Sequence, residues 1–436
     1  MNYSSAPKKR TEDQSRSVLK AKQLLVLGIG IMTVMATKAE AQVGEDFLSR
    51  TGPTPPYRSP QPNRYNLKWG ELTGRLTGSV VAEFNDNINL SQNNQVADIS
   101  IGPELGFGFL YPISDRNVLQ LDIGVGYRWY LNSPDVSTIT VSPRSSSRLD
   151  YYLYFEEGRV NLHDIFYVQV SPVDIAALGP GAAGGVNLSK FQRFVNTAGI
   201  SSDWRPAKQW VFYAGYDYTL DRSLNSSFRS LDRDDHTFSS GVNYIANSRL
   251  TVGTYSAFTY STYMQNVQND GWNFSIGPRI SYQLSKFVSL EASAGWTTSD
   301  YFDNGTIADQ SNFSSFTYQG GIKHTINKRT THALRGGRSL GLGYGSNFTD
   351  TYNLQYSLNW LASQGISIYS TLAYEHIDVS NNGESAARYL FNVGTGFRLS
   401  RRWTLGANYT LSMKDSQLAG NDYIQNRITL DLTRQF

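Results

Sequence analysis

Cysteine is absent from the 436 residues, which removes disulfides, thiolate metal sites, cysteine nucleophiles and lipid attachment through a thiol in one step. Charged residues make up only 17%, and beyond residue 36 no apolar run approaches the roughly 18 residues that a membrane-spanning helix needs. Histidine is scarce too, with five copies and no HExxH or similar metal set. A P-loop, a dinucleotide fingerprint and an EF-hand loop are likewise missing, so neither cofactor nor metal is expected. Net charge is +3, but residues 1–41 hold seven Lys/Arg against three Asp/Glu, leaving 32 basic against 33 acidic residues in the rest. Nucleic-acid binding therefore has no electrostatic footing.

What is plentiful points to strands and tight turns: Gly (38), Tyr (28), Phe (21) and Trp (8). A membrane protein without spanning helices must be a closed barrel, because lipid offers backbone groups no other partner.

Residues 1–41 have the pattern of an export signal: a positive leader (Lys8, Lys9, Arg10, Arg16, Lys20, Lys22), a short apolar core from Leu24 to Met35, and Ala39-Glu40-Ala41 as an A-x-A cleavage site. Residues 42–66 carry Pro53, Pro55, Pro56, Pro60 and Pro62 without periodicity, the composition of an extended periplasmic tail; a small hatch inside the barrel is the alternative.

From Leu67 to Phe436 the chain alternates with period two. Leu119, Leu121, Ile123, Val125, Tyr127 and Trp129 oppose Gln120, Asp122, Gly124, Gly126, Arg128 and Tyr130; Val288, Leu290, Ala292, Ala294 and Trp296 oppose Ser289, Glu291, Ser293 and Gly295. A soluble sandwich also alternates. The punctuation discriminates, because short turns at 114–116, 205–208, 246–248, 284–286, 363–365 and 400–402 interleave with longer links near 85–95, 131–146, 171–190, 221–234 and 299–312. Short turns on one side and long loops on the other are the pattern of a transmembrane antiparallel β-barrel. Counting hairpins predicts an all-β barrel of about 18 strands, with 16 as the alternative and both termini periplasmic. A strand through 326–338 would put Arg338 on the lipid face at a cost of about 2–4 kcal/mol. Asn327 to Gly337 is therefore expected as a basic periplasmic link, with Arg338 at the interface. Trp69, Trp204, Trp210, Trp360 and Trp403 fall at expected periplasmic strand ends and Trp129, Trp272 and Trp296 at outer ones, none in mid-strand.

Gly337-Arg338-Ser339-Leu340-Gly341 has the form G-x-S-x-G, but a nucleophile elbow needs a helix after the serine and here an alternating strand follows. His163 beside Asp164, and His324 and His332, are read as interfacial residues. Glu83, Glu104, Asp122, Arg128, Asp217, Glu291, Glu375, Arg398, Arg427 and Asp431 take the lumen parity, where they either set the charge profile of a pore or pair across strands to brace the wall. Gly179 to Gly185, in the longest loop, either folds inward as a constriction or stays at the surface.

The last strand, alternating through Ile428, Leu430 and Leu432 and stopping on Phe436, resembles the terminal strand of Gram-negative outer-membrane barrels, in which such an end is read by the insertion machinery. Phe84-Asn85-Asp86-Asn87-Ile88 after the first strand, with Ile99 to Phe109 as the next, resembles the opening of Gram-negative outer-membrane β-barrel porin families. The resemblance implies a porin-like barrel in the cell outer membrane and, for some relatives, a link to exopolysaccharide export; it carries over no site residues. The expected function is a channel for passive diffusion of small hydrophilic solutes, with a polysaccharide outlet and a barrel enzyme using His163 or Ser339 as alternatives. Expected partners are outer-membrane lipid, the barrel assembly machinery, and small solutes or polysaccharide; an oligomer is allowed, and nucleic acid is not expected.

Overall fold

The computed structural model describes residues 67–141, 147–169, 192–343, 345–381 and 383–436. The expected signal peptide, the Pro-rich tail and the run Gly179 to Gly185 lie outside these described residues.

Twenty strands form one antiparallel sheet. In chain order the wall runs through Leu72–Asn85, Asp98–Ser114, Asn117–Tyr130, the divided strand Thr138–Val141 and Ser147–Phe155, Gly158–Gln169, Arg193–Ala207, Trp210–Ser223, Arg233–Ile245 and Leu250–Tyr263. It continues through Gly271–Gln283, Val288–Tyr301, Phe313–Asn327, Thr330–Leu342, Phe348–Ser363, Ile366–Val379, Ser385–Arg398, Trp403–Ser416 and Tyr423–Gln435. The two pieces of the divided strand both pair with Asn117–Tyr130 and so fill one position. Leu67–Trp69 folds back at Gly70 (φ +61°) onto Leu72 to Gly74 and only lengthens the row of the last strand. Eighteen wall positions result, as the hairpin count predicted. The ring closes where Thr77 stands opposite Gln435 and Asn85 opposite Arg427. Closure leaves no sheet edge, and every neighbouring pair is antiparallel, so the first wall strand begins and the last one ends on the same rim.

That rim carries the tight turns Asp115-Arg116, Glu156-Glu157, Lys208-Gln209, Lys328-Arg329 and Gln364-Gly365; the other carries longer connections such as 86–97 and 302–312. Three expectations need correction. Asn327 to Gly337 is not a link: Phe313–Asn327 turns tightly at Lys328-Arg329 into Thr330–Leu342, and Arg338 lies well up a strand. The link at 131–146 is shorter than expected, because Thr138–Val141 pairs with Val125 to Arg128. Trp296 sits inside Val288–Tyr301 and not at its end.

The two faces are those of a barrel in lipid. Val80, Leu105, Val125, Ile276, Phe316, Leu354 and Leu430 point outward and are exposed, whereas Glu83, Asp98, Asp150, Arg193, Asp235, Glu375 and Arg388 point inward and are buried. Among the described residues the buried apolar cluster is one pair, Leu90 with Tyr423. An apolar exterior around a polar interior inverts a soluble domain and suits a wall whose solvent is hydrocarbon. The chain is a membrane-spanning β-barrel of the outer-membrane type, of the size at which barrels enclose an aqueous channel.

The lumen as candidate functional site

Alternation turns one side chain in two toward the lumen, and there the charges find partners. Glu83 accepts from Thr429 Oγ1 at 3.3 Å and lies 3.8 Å from Arg128 Nη1. Both are among the ten predicted lumen charges, and Glu104, a third, also lies within electrostatic reach of Arg128. Several of the ten also engage residues the sequence reading did not single out. Ser79 Oγ donates to Glu104 at 3.1 Å, Arg75 and Gln120 both donate to Asp122, and Arg388 Nε donates to Glu375 at 3.0 Å. Glu291 shares a row with Gly321 and Arg335. Arg427 stands opposite Asn85, and Asp431 lies across Gly406, where a Cβ would collide with its carboxylate. Arg398 is exposed at the tight-turn rim, its main-chain N–H bonded to Gly365 O at 2.7 Å.

Glycines let some of these contacts skip a strand. His163 and Asp217 share a 2.8 Å hydrogen bond across Gly199, which stands opposite both; a Cβ there would strike Asp217 Oδ1. Arg279 Nε donates to Asn243 Oδ1 at 2.7 Å across Gly253 in the same manner, with its guanidinium 4.7 Å over the Tyr213 ring.

A denser cluster lies toward the loop rim. Arg193, fully buried, donates to Asp221 Oδ1 at 2.6 Å and to Leu231 O at 2.7 Å; Arg233 bridges Asp221 and Asp235 at 3.1 and 3.0 Å. Sequence reasoning missed these residues because it placed them in or beside loops, although their alternation with Val195, Thr219 and Thr237 was available. Arg75 and Arg388 share the parity of the predicted charges and could have been found by the same rule. Taken out of water, such pairs offset desolvation only when their hydrogen bonds are well satisfied.

At the loop rim itself Asp309 ties three connections together. Its Oδ2 accepts from Asn347 N and Ser380 Oγ, both at 2.6 Å, and its main-chain oxygen accepts from Asn269 Nδ2 at 2.8 Å and Asn347 Nδ2 at 3.1 Å. Burial alone would push the Asp309 carboxyl up, but the donors Ser380, Asn347 and Ser311 outweigh it and hold the group below its ordinary value. Glu384 behaves alike: burial raises it, and Lys414, Ser416 and Asn421 bring it below the ordinary range. Beneath Asn269 lies a cavity of about 260 Å³ lined by Asp235, Ser261, Tyr263, Tyr301 and the stretch Leu340 to Leu342.

No family model and no curated protein matches the chain. Among solved structures, OccK5 (OpdH) of Pseudomonas aeruginosa is similar at 12% identity and a TM-score of 0.48, covering 83% of this chain and 98% of that one. The outer membrane protein OpdK of the same organism is similar at 13% identity and a TM-score of 0.48, covering 83% and 99%. A BenF-like porin from Pseudomonas fluorescens Pf-5 is similar at 10% identity and a TM-score of 0.49, covering 83% and 99%. It is the closed eighteen-position wall, apolar outside and polar inside, that makes this chain an outer-membrane-type β-barrel.

Proposed function

We propose that the protein is an outer-membrane channel for passive diffusion of small hydrophilic solutes, with the tight-turn rim and both ends of the barrel chain on the periplasmic side. The observation that carries the reading is the inner face, a polar lining of ion pairs, hydroxyls and amides inside a wall of eighteen positions. Lys323 and Arg335 are exposed on that face, which supports a lining that carries charge. The same reading takes the chain as a channel and not an enzyme. It is supported by Ser339 lying on a strand opposite Thr351 that runs on to Leu342 and is followed by the strand Phe348–Ser363, and by His163 being engaged with Asp217 on a distant part of the ring.

Reconstitution of the purified protein in planar bilayers tests the proposal. Stable single-channel conductance is expected; a correctly folded barrel that stays silent would overturn it.

A further inference from the structure

The ladder between Phe313–Asn327 and Thr330–Leu342 runs upward from Asn327 opposite Thr330 to Tyr318 opposite Arg338, and stops there. Both strands continue. Phe313 to Thr317 stay paired with Val288–Tyr301 on their other side, and Ser339 to Leu342 with Phe348–Ser363. Above Tyr318 and Arg338 the wall is held across this seam by side chains, up to the ends of both strands, whereas the gaps at Pro103 and Pro278 are short and the ladder resumes beyond them.

Arg338 does most of the holding. Its Nη1 donates to Ser315 Oγ at 2.7 Å and to Phe316 O at 3.1 Å, standing in for the main-chain N–H that a continued ladder would bring. Asp350 grips the same guanidinium at 2.7 Å, and the rings of Phe313 and Tyr352 lie 5.5 and 5.2 Å from it. Higher up, Phe313 meets Phe348 edge-on at 5.4 Å and Asn347 Nδ2 donates to Ser311 O at 3.0 Å. On the inside, Leu340 to Leu342 border the cavity that also meets Tyr263 and Tyr301. Two buried hydroxyls beside the seam, Ser339 Oγ and Thr349 Oγ1, have no hydrogen-bond partner among the described residues. On the outside the seam is flanked by Phe316, which stands opposite Trp296, and both rings are exposed on the apolar face.

We propose that this seam is a lateral gate latched by Arg338, through which an amphipathic molecule passes between the cavity and the adjoining lipid leaflet. Opening a wall through an intact ladder would strip a run of main-chain groups of their partners in a medium that offers none. Here the ladder already ends, so swinging Arg338 together with Asp350 away from the facing strand frees one carbonyl and one hydroxyl, below the ties from Asn347 to Asp309 and Ser311 that pin the upper end of the seam. The lips carry Phe313, Phe316, Leu340 and Leu342 for an apolar chain, and the cavity carries hydroxyls for a polar head. The gate goes beyond axial diffusion of hydrophilic solutes and does not depend on it.

The cysteine-free chain makes the test clean. Ser339→Cys, at the buried inner lip, is exposed in vesicles to a phospholipid bearing a maleimide headgroup, with Ser299→Cys, buried on the next strand but one and laddered on both sides to Asn273 and Phe313, as the control. Labelling of Ser339→Cys at least tenfold faster than the control is expected, faster again with Arg338→Ala or with Asp350→Asn, which loosens the latch from its other side should the first variant fail to fold. A disulfide between Phe316→Cys and Leu340→Cys should abolish it. Labelling no faster than the control, or indifferent to both latch variants and to the staple, would overturn the gate. Glucose permeation through the same vesicles reports separately on the axial channel.

Discussion

Arg75 and Asp122 form a 3.0 Å ion pair although their strands never touch, because Gly108 stands opposite both on the strand between them. A Cβ at Gly108 would lie 2.6 Å from Asp122 Oδ1, so any larger residue must push the pair apart. The pair is thus a cross-brace over three strands, and His163 with Asp217 and Arg279 with Asn243 repeat the device elsewhere on the inner face.

Gly108→Val should therefore act like removal of the pair. With Arg75 partly solvated, the expected loss of stability is about 1–2 kcal/mol, between values for surface and buried pairs. Urea unfolding in lipid vesicles measures it. In a double-mutant cycle, Asp122→Ala should cost little further once Gly108→Val is present; additive losses would show that the glycine has another role.

Charges that the wall does not consume should govern selectivity. Lys323 and Arg398 are exposed on the lumen parity and show no ion pair among the described residues, whereas Arg388 and Arg193 are buried in pairs. Lys323→Glu with Arg398→Glu should raise the cation-to-anion permeability ratio. A local potential change of about 0.5–1 kcal/mol corresponds to a roughly two- to fivefold shift. Reversal-potential measurements under a salt gradient read the shift, and Arg388→Glu should instead lower the yield of folded barrel.

Alternation made the wall, its strand number and the facing of the charges legible, because period two needs no knowledge of neighbours. The errors arose where a neighbour decides. Arg338 on the outward parity looked too costly for a strand, yet its guanidinium is drawn out of lipid into the seam by Asp350, Ser315 and Phe316 O, contacts that exist only in the assembled register. Partners such as Arg75 for Asp122 are invisible for the same reason, lying 47 residues apart with a glycine strand between them.

Acid should loosen the loop rim before the wall. Asp309 and Glu384 are both held below their ordinary values, so their contribution to stability is complete above the ordinary carboxylate range, roughly pH 4, and is lost as pH falls through their lower folded values. The ladder itself does not titrate. Amide exchange corrected for intrinsic rate should rise around Asn269, Asp309 and Asn347 at about pH 3 relative to pH 6, while mid-strand amides stay protected. Asp309→Asn should remove most of that pH dependence.

Phe436 offers a way to separate assembly from stability. Its N–H is bonded to Leu76 O at 3.1 Å, its ring lies 3.2 Å from where a Cβ on Gly78 would be, and Arg434 stacks over it at 4.6 Å. The aromatic thus covers the base of the closing pair of strands, but it is 43% exposed, and closure is secured by the rungs from Thr77–Gln435 to Asn85–Arg427. Losing a half-buried ring should lower equilibrium stability in vesicles by only about 1 kcal/mol. If the terminal aromatic is also what the insertion machinery reads, Phe436→Ala should cut the amount of barrel reaching the membrane in cells far more than that loss of stability would. Equal, small losses in both assays would make Phe436 a packing residue alone, because a recognition signal must act before the contacts around Gly78 and Leu76 have formed.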